Sequence, residues 1–376
     1  MSSTEHAQRI VRLTPLRDVL ARVAARVRAV APRECDVSEA IGRTLAQDIS
    51  VATGLPAVSV ALRDGWAVSS ELTHDANSYT PVVLPALPKR LDVGDAVPAD
   101  ADAVAPLDAL VIRGKTAEIM IAMMQGDGVL AAGADLPAHS IMLAAGRHLR
   151  QSDLAALAAA GMRRIAVRAP RLRMVPSATT GDAVVDAITS FAGAAIAREG
   201  SVVIVPSSPD GDPLAVALQD DSVDAVIAIG GTGTGIDDTA VESLAAMGEV
   251  VAHGIAIMPG ETAALGFAGA RPVLLVPGRL DAAIAVWLMI GRPLLARLCG
   301  RDLDELTITA ELARKISSPL GLAEMVPVRR LGEKVEPIAS GYVPLQTIAR
   351  ADGWVLVPAD SEGYQAGARV VVRPWP

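Results

Sequence analysis

At 376 residues the chain exceeds one ordinary domain, and usual domain sizes call for two to four compact units. Hydrophobic residues make up 51% and aromatics only 2%, with a net charge of −8; this excludes a nucleic-acid surface built on base stacking or on neutralising a phosphate backbone. The only cysteines, Cys35 and Cys299, lie far apart, which excludes a disulfide framework and a Cys-based zinc site and fits a reducing cytoplasm.

The first residues, MSSTEHAQRIVRL, contain no uninterrupted apolar run of signal-peptide length. In TPLRDVLARVAARVRAV, Thr14 reads as an N-cap and Pro15 as the first helical residue. Leu16, Val19, Leu20, Val23, Val27 and Val30 then recur at helical spacing, so the segment is an amphipathic helix whose arginines form a solvated face. From residue 53 to about 140 that period is lost. PVVLPALP, DAVPADADAV, ALVIRG and TAEIMIAM read as short strands between turns, a small β-rich module. SDLAALAAAG returns to a helix, capped by Ser152 or Asp153 and closed near Gly161, and a strand follows.

From about residue 171 strands alternate with helices. VDAVIAIGG is apolar without alternation, as expected for a strand of a parallel sheet covered on both faces. DPLAVALQD and DDTAVESLAAMG read as helices, RPVLLVPG as a second buried strand. The long apolar helix near 280–298 is interrupted by Arg292 and Pro293, so it is a core helix and no membrane span. Past about residue 305 the chain turns β again and ends in a small barrel-like tail. The whole reads as a multidomain α/β protein with a doubly wound sheet, whose ligands bind at the carboxyl ends of the strands.

Three polar or Gly-rich loops leave those ends and lead into helices: TTGD with Thr179, Gly181 and Asp182; GGTGTGIDD; and PGRLD with Pro277, Gly278 and Arg279. In the second, Gly230, Gly231, Gly233 and Gly235 are spaced by Thr232 and Thr234 and precede Asp237 and Asp238. Bare backbone N–H groups before a helix favour an anion, and converging loops suit a phosphorylated small molecule. The two aspartates have two compatible readings. One is helix capping, worth about 1 kcal/mol; the other is a carboxylate that takes a metal ion or a ring N–H while the glycines take phosphate. Asp64-Gly65 in VALRDGWAV suits a hairpin turn, and GADLP around Asp135 is a second turn. The five histidines show no metal-ligand spacing, and no Ser-His-Asp or Cys-His arrangement is recognisable.

Six motifs, in this order, resemble those of the molybdopterin molybdotransferases of the MoeA and gephyrin E-domain type. RDGWAV is similar to M-D-G-Y-A-V, GADLP to G-E-D-I, TTGDAVVD to S-T-G-D-E-L, and IGGTGTGIDD to S-G-G-V-S-V-G-x-x-D. IAIMPGETAALG and VPGRLDAAIAVW resemble I-x-x-K-P-G-K-P-x-x-x-G and L-P-G-N-P-x-S, and the tail from SGYVPLQ onward resembles the family's last β domain. The resemblance implies an elongated dimerising segment over 1–52 and 141–170, an inserted β-rich domain over 53–140, a molybdopterin-binding α/β domain over 171–304 and a C-terminal β-barrel over 305–376. It implies a homodimer, with the β-rich domain of one subunit facing the α/β domain of the other.

By the same resemblance the substrates are adenylylated molybdopterin and molybdate, a magnesium ion assists, and AMP is released. Asp64, Asp135 and Asp238 carry over as catalytic carboxylates, Asp238 and Asp64 as metal ligands, and Asp182 as a further site carboxylate. The TTGD, glycine-rich and P-G-R residues carry over as the pterin-binding set. Several positions depart from the family: Met258 and Glu261 stand where it has two lysines, Arg63 where it has methionine, and Arg279 offers one replacement positive charge. A catalytically divergent protein that binds molybdopterin or its molybdenum form and delivers it to a client molybdoenzyme is the alternative reading.

Overall fold

The computed structural model describes residues 8–176, 182–204, 212–303 and 306–376, so Thr179 and Gly181 lie outside the described residues. Contacts divide the chain into two compact units, Met1–Gln47 with Gly146–Pro376, and Asp48–Ala145.

The first unit begins with α1 (Leu16–Arg26), whose buried face is Val19 and Val23, continued by Val27. Thr14 does not cap it. Thr14–Pro15 instead form a short parallel strand, with the Thr14 N–H donating to Gly254 O at 2.9 Å. The helix α2 (Gln151–Ala159) has Arg150, and not Ser152 or Asp153, at its N-cap position. Asp153 sits at the third helical position and reaches back to the Arg150 N–H at 2.9 Å, the reverse arm of a capping box. It is buried between the Arg147 and Arg150 guanidinium groups, whose hydrogen bonds, Arg147 first, hold its carboxyl well below the usual carboxylate range.

The α/β region follows in the order β1 (Arg171–Pro176), α3 (Ala183–Arg198), β2 (Val202–Ile204), α4 (Pro213–Gln219), β3 (Ala225–Ile229), α5 (Ala240–Met247), β4 (Glu249–His253), β5 (Ile255–Met258), β6 (Ala264–Ala268), β7 (Arg271–Val276), α6 (Leu280–Val286) and α7 (Arg292–Cys299). Its sheet runs β2-β1-β3-β7-β6-β4; the first four strands are parallel, and β6 alone is reversed, pairing antiparallel with both β7 and β4. All five residues of β3 are buried because its faces pack in opposite directions. Ile227 and Ile229 join the core that holds α3, α6 and α7; Val226 and Ala228 join the core under α4 and α5. Each large side chain fully buried this way contributes about 1.5–3 kcal/mol.

Leu280–Cys299 is long and apolar enough for a membrane, yet 83% of its apolar window is buried inside the protein, as a core helix requires. Between α6 and α7 the backbone widens into one π-helical turn, Trp287–Gly291, directly before Arg292-Pro293. Proline lacks the N–H that an α-helix needs there, and a π turn absorbs the mismatch without ending the helix.

The tail is a closed five-strand barrel: β8 (Ile308–Leu312), β9 (Ala323–Leu331), β10 (Lys334–Pro337), β11 (Gly353–Val357) and β12 (Arg369–Pro374), in the order β9-β10-β8-β12-β11 and back to β9. Strand β5 pairs with Thr14–Pro15 on one side and with β9 on the other, so the amino-terminal segment, the α/β region and the barrel share hydrogen bonds.

The second unit is built from short strands. Val82–Val83, Thr116–Ile119 and Leu110–Arg113 form one three-stranded sheet, and Arg90–Leu91, Gly65–Val68 and Ala103–Pro106 another. Val60–Ala61 pairs with Val129–Leu130 and not with Gly65–Val68, so the bend at Asp64 is no hairpin. Gly65 is dictated by space: a Cβ there would lie 2.1 Å from Ala105 O across the sheet.

Candidate functional site

The carboxyl ends of β1, β3 and β7 finish level, with Pro176 beside Ile229 and Ile229 beside Val276. The loops that leave them therefore start from one line. Asp182 caps α3, accepting from the Val184 N–H at 2.8 Å. Asp212, which the sequence reading passed over, caps α4 from the Leu214 N–H at 2.9 Å, with Pro213 as the first helical residue. Asp-Pro before an apolar helical run is a legible cap signature. A cleft of about 470 Å³ lies along this edge, lined among others by Pro176, Asp212, Ile229, Gly231, Asp238 and Thr239. That volume suits a small organic ligand.

In the glycine-rich loop Gly230 and Gly231 adopt positive φ of 88° and 68°, and the Gly230 N–H donates to Val276 O at 2.8 Å. Neither Asp237 nor Asp238 caps α5, because helical geometry begins only after Thr239, which makes no side-chain cap bond itself. Asp238 folds back instead, its Oδ2 accepting from the Gly235 N–H at 2.8 Å. A Cβ at Gly233 would lie 2.6 Å from that oxygen, and one at Gly235 3.0 Å. The glycines thus make room for the loop to curl around its own carboxylate.

The cap that Thr239 does not supply comes from Gln8. Its Oε1 accepts from the Val241 N–H at 2.7 Å and the Glu242 N–H at 3.3 Å. Its Nε2 donates to Gly231 O and Gly233 O, both at 3.0 Å. No local pattern announces a contact across more than two hundred residues.

Two more loops adjoin. Thr232 is buried, 3.2 Å from Thr262 between hydroxyl oxygens, and its carbonyl lies 3.0 Å from His253 Nε2. Thr262 ends the Met258-Pro259-Gly260-Glu261 segment, in which the Glu261 carboxylate accepts from the Gly260 N–H at 3.0 Å. Arg279 opens α6 and pairs with Asp281 through two hydrogen bonds of 3.2 and 2.6 Å, its guanidinium 5.3 Å from the Tyr342 ring centre. These bonds to Asp281 raise the Arg279 pKa against the effect of burial. Asp281, buried, also accepts from the Val343 N–H at 3.1 Å. The cation at residue 279 is therefore matched by its own carboxylate.

Across β5 and β9, Met258 stands opposite Glu324. Glu324 is completely buried; its Oε1 accepts from the Ser340 hydroxyl and the Gly341 N–H, both at 2.7 Å, and its Oε2 has no hydrogen-bond partner among the described residues. Segment 340–343 thus touches both Glu324 and Asp281.

Asp64 and Asp135 belong to the second unit. Both are exposed. Asp64 Oδ1 accepts from the Val93 N–H at 2.9 Å, and the Asp135 N–H donates to Leu55 O at 2.9 Å in a turn opened by Gly133. Among the described residues no three His, Cys, Asp or Glu side chains gather as a metal-binding group.

Such a chain is a multidomain protein that presents a small-molecule cleft at the carboxyl edge of a doubly wound sheet. Residues 14–161 match the MoeA N-terminal region (domain I and II), residues 177–297 the probable molybdopterin binding domain, and residues 309–375 the MoeA C-terminal region (domain IV). The chain belongs to the MoeA family, and its role is in molybdenum cofactor biosynthesis. It is similar to a putative molybdopterin biosynthesis protein of Methanocaldococcus jannaschii, 25% identical over 90% of this chain and 91% of the relative. It is also similar to molybdopterin molybdenumtransferase 2 of Mycobacterium tuberculosis, 24% identical over 93% and 96%. A crystal structure of the molybdopterin biosynthesis MoeA protein from Pyrococcus horikoshii shares the fold with a TM-score of 0.77 at 24% identity, covering 97% of this chain and all, 100%, of that one.

Proposed function

We propose that this protein is a molybdopterin molybdotransferase, which takes adenylylated molybdopterin at the carboxyl edge of the α/β sheet, joins molybdate to its dithiolene sulfurs and releases AMP. The observation that carries the reading is the cleft bounded by the glycine-rich loop and the start of α4, where Gly231, Asp212 and Asp238 meet. The family's site residues transfer to this chain as proposals: Asp64, Asp135 and Asp238 for catalysis, and Thr179, Gly181, Asp182, Gly230 to Gly235 and Pro277 to Arg279 for the pterin nucleotide. The four domain limits at residues 52, 140, 170 and 304 are proposed with them.

Magnesium fits as a companion of the substrate's phosphates, a mode in which one or two carboxylates suffice. Asp238, whose Oδ2 accepts from the Gly235 N–H, would hold the ion; bound there, it would offset phosphate charge. Asp64 is proposed as the second ligand, brought by the partner subunit of a cytoplasmic homodimer. A second reading, binding and delivery to a client molybdoenzyme without insertion, is favoured by one observation: Arg279, the replacement cation, is already paired with Asp281.

The test is molybdate-dependent AMP release from adenylylated molybdopterin with magnesium, with pterin binding and sedimentation followed in parallel. Release that Asp238→Ala abolishes supports the transferase. Tight binding without release supports the delivery protein, and neither binding nor release overturns both.

A further inference from the structure

We infer that Gln8 is a positioning residue, whose carboxamide sets the glycine-rich loop and the first turn of α5 in the arrangement that receives the pterin nucleotide. The inference rests on the pterin-binding reading above. Gln8 is only 5% exposed, and both ends of its amide are in use. Its two donors hold the Gly231 and Gly233 carbonyls, while its oxygen accepts from the second and third N–H groups of α5. An amide alone among side chains presents two donors and a doubly accepting oxygen on one flat group. Ionised aspartate or glutamate cannot donate, and lysine or arginine cannot accept.

The residues after Gln8 are anchored independently of it. A Cβ on Gly254 would lie 2.4 Å from Ile10 Cγ2, and the Thr14 N–H binds Gly254 O. The segment is thus laid against the turn between β4 and β5, and Gln8 reaches the loop from a fixed base. It does not line the cleft, whereas Gly231, which it holds, does. Two consequences follow. The α5 donors at Val241 and Glu242 are occupied by a neutral group from within the chain, so the ligand's phosphate is not seated on them. The cleft wall at Gly231 is held to the helix by two donors on one carbonyl, the Gln8 amide at 3.0 Å and the Ala240 N–H at 3.1 Å, and only the first also reaches Gly233.

The variants Gln8→Ala and Gln8→Glu test this in the full chain. Without ligand, amide hydrogen exchange at Val241 and Glu242 is expected to quicken at least about 10-fold in Gln8→Ala, which removes the cap, and to stay slow in Gln8→Glu, which keeps the acceptor. Binding of adenylylated molybdopterin is expected to weaken about 10-fold or more in Gln8→Ala. In Gln8→Glu the carboxylate faces two carbonyl oxygens, so binding is weak at pH 8 and recovers towards pH 5, where a protonated carboxyl donates again; the unaltered protein shows no such recovery. A Gln8→Ala protein with unchanged exchange overturns the inference. So does faster exchange with unchanged binding, which leaves Gln8 a helix cap and nothing more. Failure of the unaltered protein to bind adenylylated molybdopterin overturns the proposed function instead, and the exchange result still decides whether Gln8 holds the loop.

Discussion

Glu261 and Asp153 show the same charge in opposite settings. Glu261 lies in the field of Arg279, whose hydrogen-bonded partner is Asp281. A unit charge about 5 Å from an oxyanion contributes roughly 3 kcal/mol at an effective dielectric of 20. Reversing Glu261 to Lys should therefore lower the molybdate concentration needed for AMP release, by about 10-fold or more after screening. Titration of molybdate against Glu261→Lys checks this, and an unchanged requirement places the anion elsewhere. Asp153 is held by two arginines with its carboxyl pKa depressed, so its stabilising contribution is complete above the ordinary carboxylate value near 4 and disappears as pH falls through the folded value. Asp153→Asn should cost about 1–3 kcal/mol at pH 7, and the gap between its melting temperature and that of the unaltered protein should narrow on acidification below pH 4. A gap independent of pH would show that the loss is one of shape rather than charge.

At the scale of elements, the glycine-rich turn is a small carboxylate-binding ring whose occupant is its own Asp238. In Gly233→Ala the added methyl would meet Asp238 Oδ2 at 2.6 Å, so the aspartate must swing out. Pterin binding should weaken, and Gly233→Ala combined with Asp238→Ala should regain the melting temperature without regaining AMP release. Additive losses of stability would show that the two positions do not interact.

Much of this was readable beforehand, and the reason is local. β3 is a run of five apolar residues because both its faces are covered, Gly230 and Gly231 after it take the positive φ of a turn, and Asp182 after β1 caps the helix that follows. What escaped reading depends on partners distant in sequence. Thr14-Pro15 has the chemistry of a helix start, but its N–H finds Gly254 O in a strand pairing first. Asp64-Gly65 has the chemistry of a hairpin turn, but the strands on either side pair with others, and Gly65 answers to Ala105. Gln8 stands in a stretch without any period. Of the motif residues, Gly230, Gly231 and Asp238 line the cleft, and no motif reveals that Arg279 is matched by Asp281.

For the whole molecule, the important joints are those where the second unit leaves the first. Within the first unit Leu45 and the residues after 145 are paired directly: the Leu45 N–H donates to Arg147 O at 2.9 Å and the Gly146 N–H to Leu45 O at 2.8 Å. Within the second, Ile49 pairs with Leu143, Ser50 with Ile141, and Asp48 Oδ1 takes the Ala145 N–H at 2.7 Å. Each unit thus closes its own ends. Deleting residues 48–145 and joining Gln47 to Gly146 by a short glycine linker should leave a protein that melts cooperatively, since loop closure over so small a gap costs little. Loss of the cooperative transition would show that the two units fold only together. If they fold apart, the central segment is a cassette. A lineage can trade, trim or enlarge it without renegotiating the fold on either side, and the carboxylates it carries, Asp64 and Asp135, can then change at their own evolutionary pace while the cleft stays as it is.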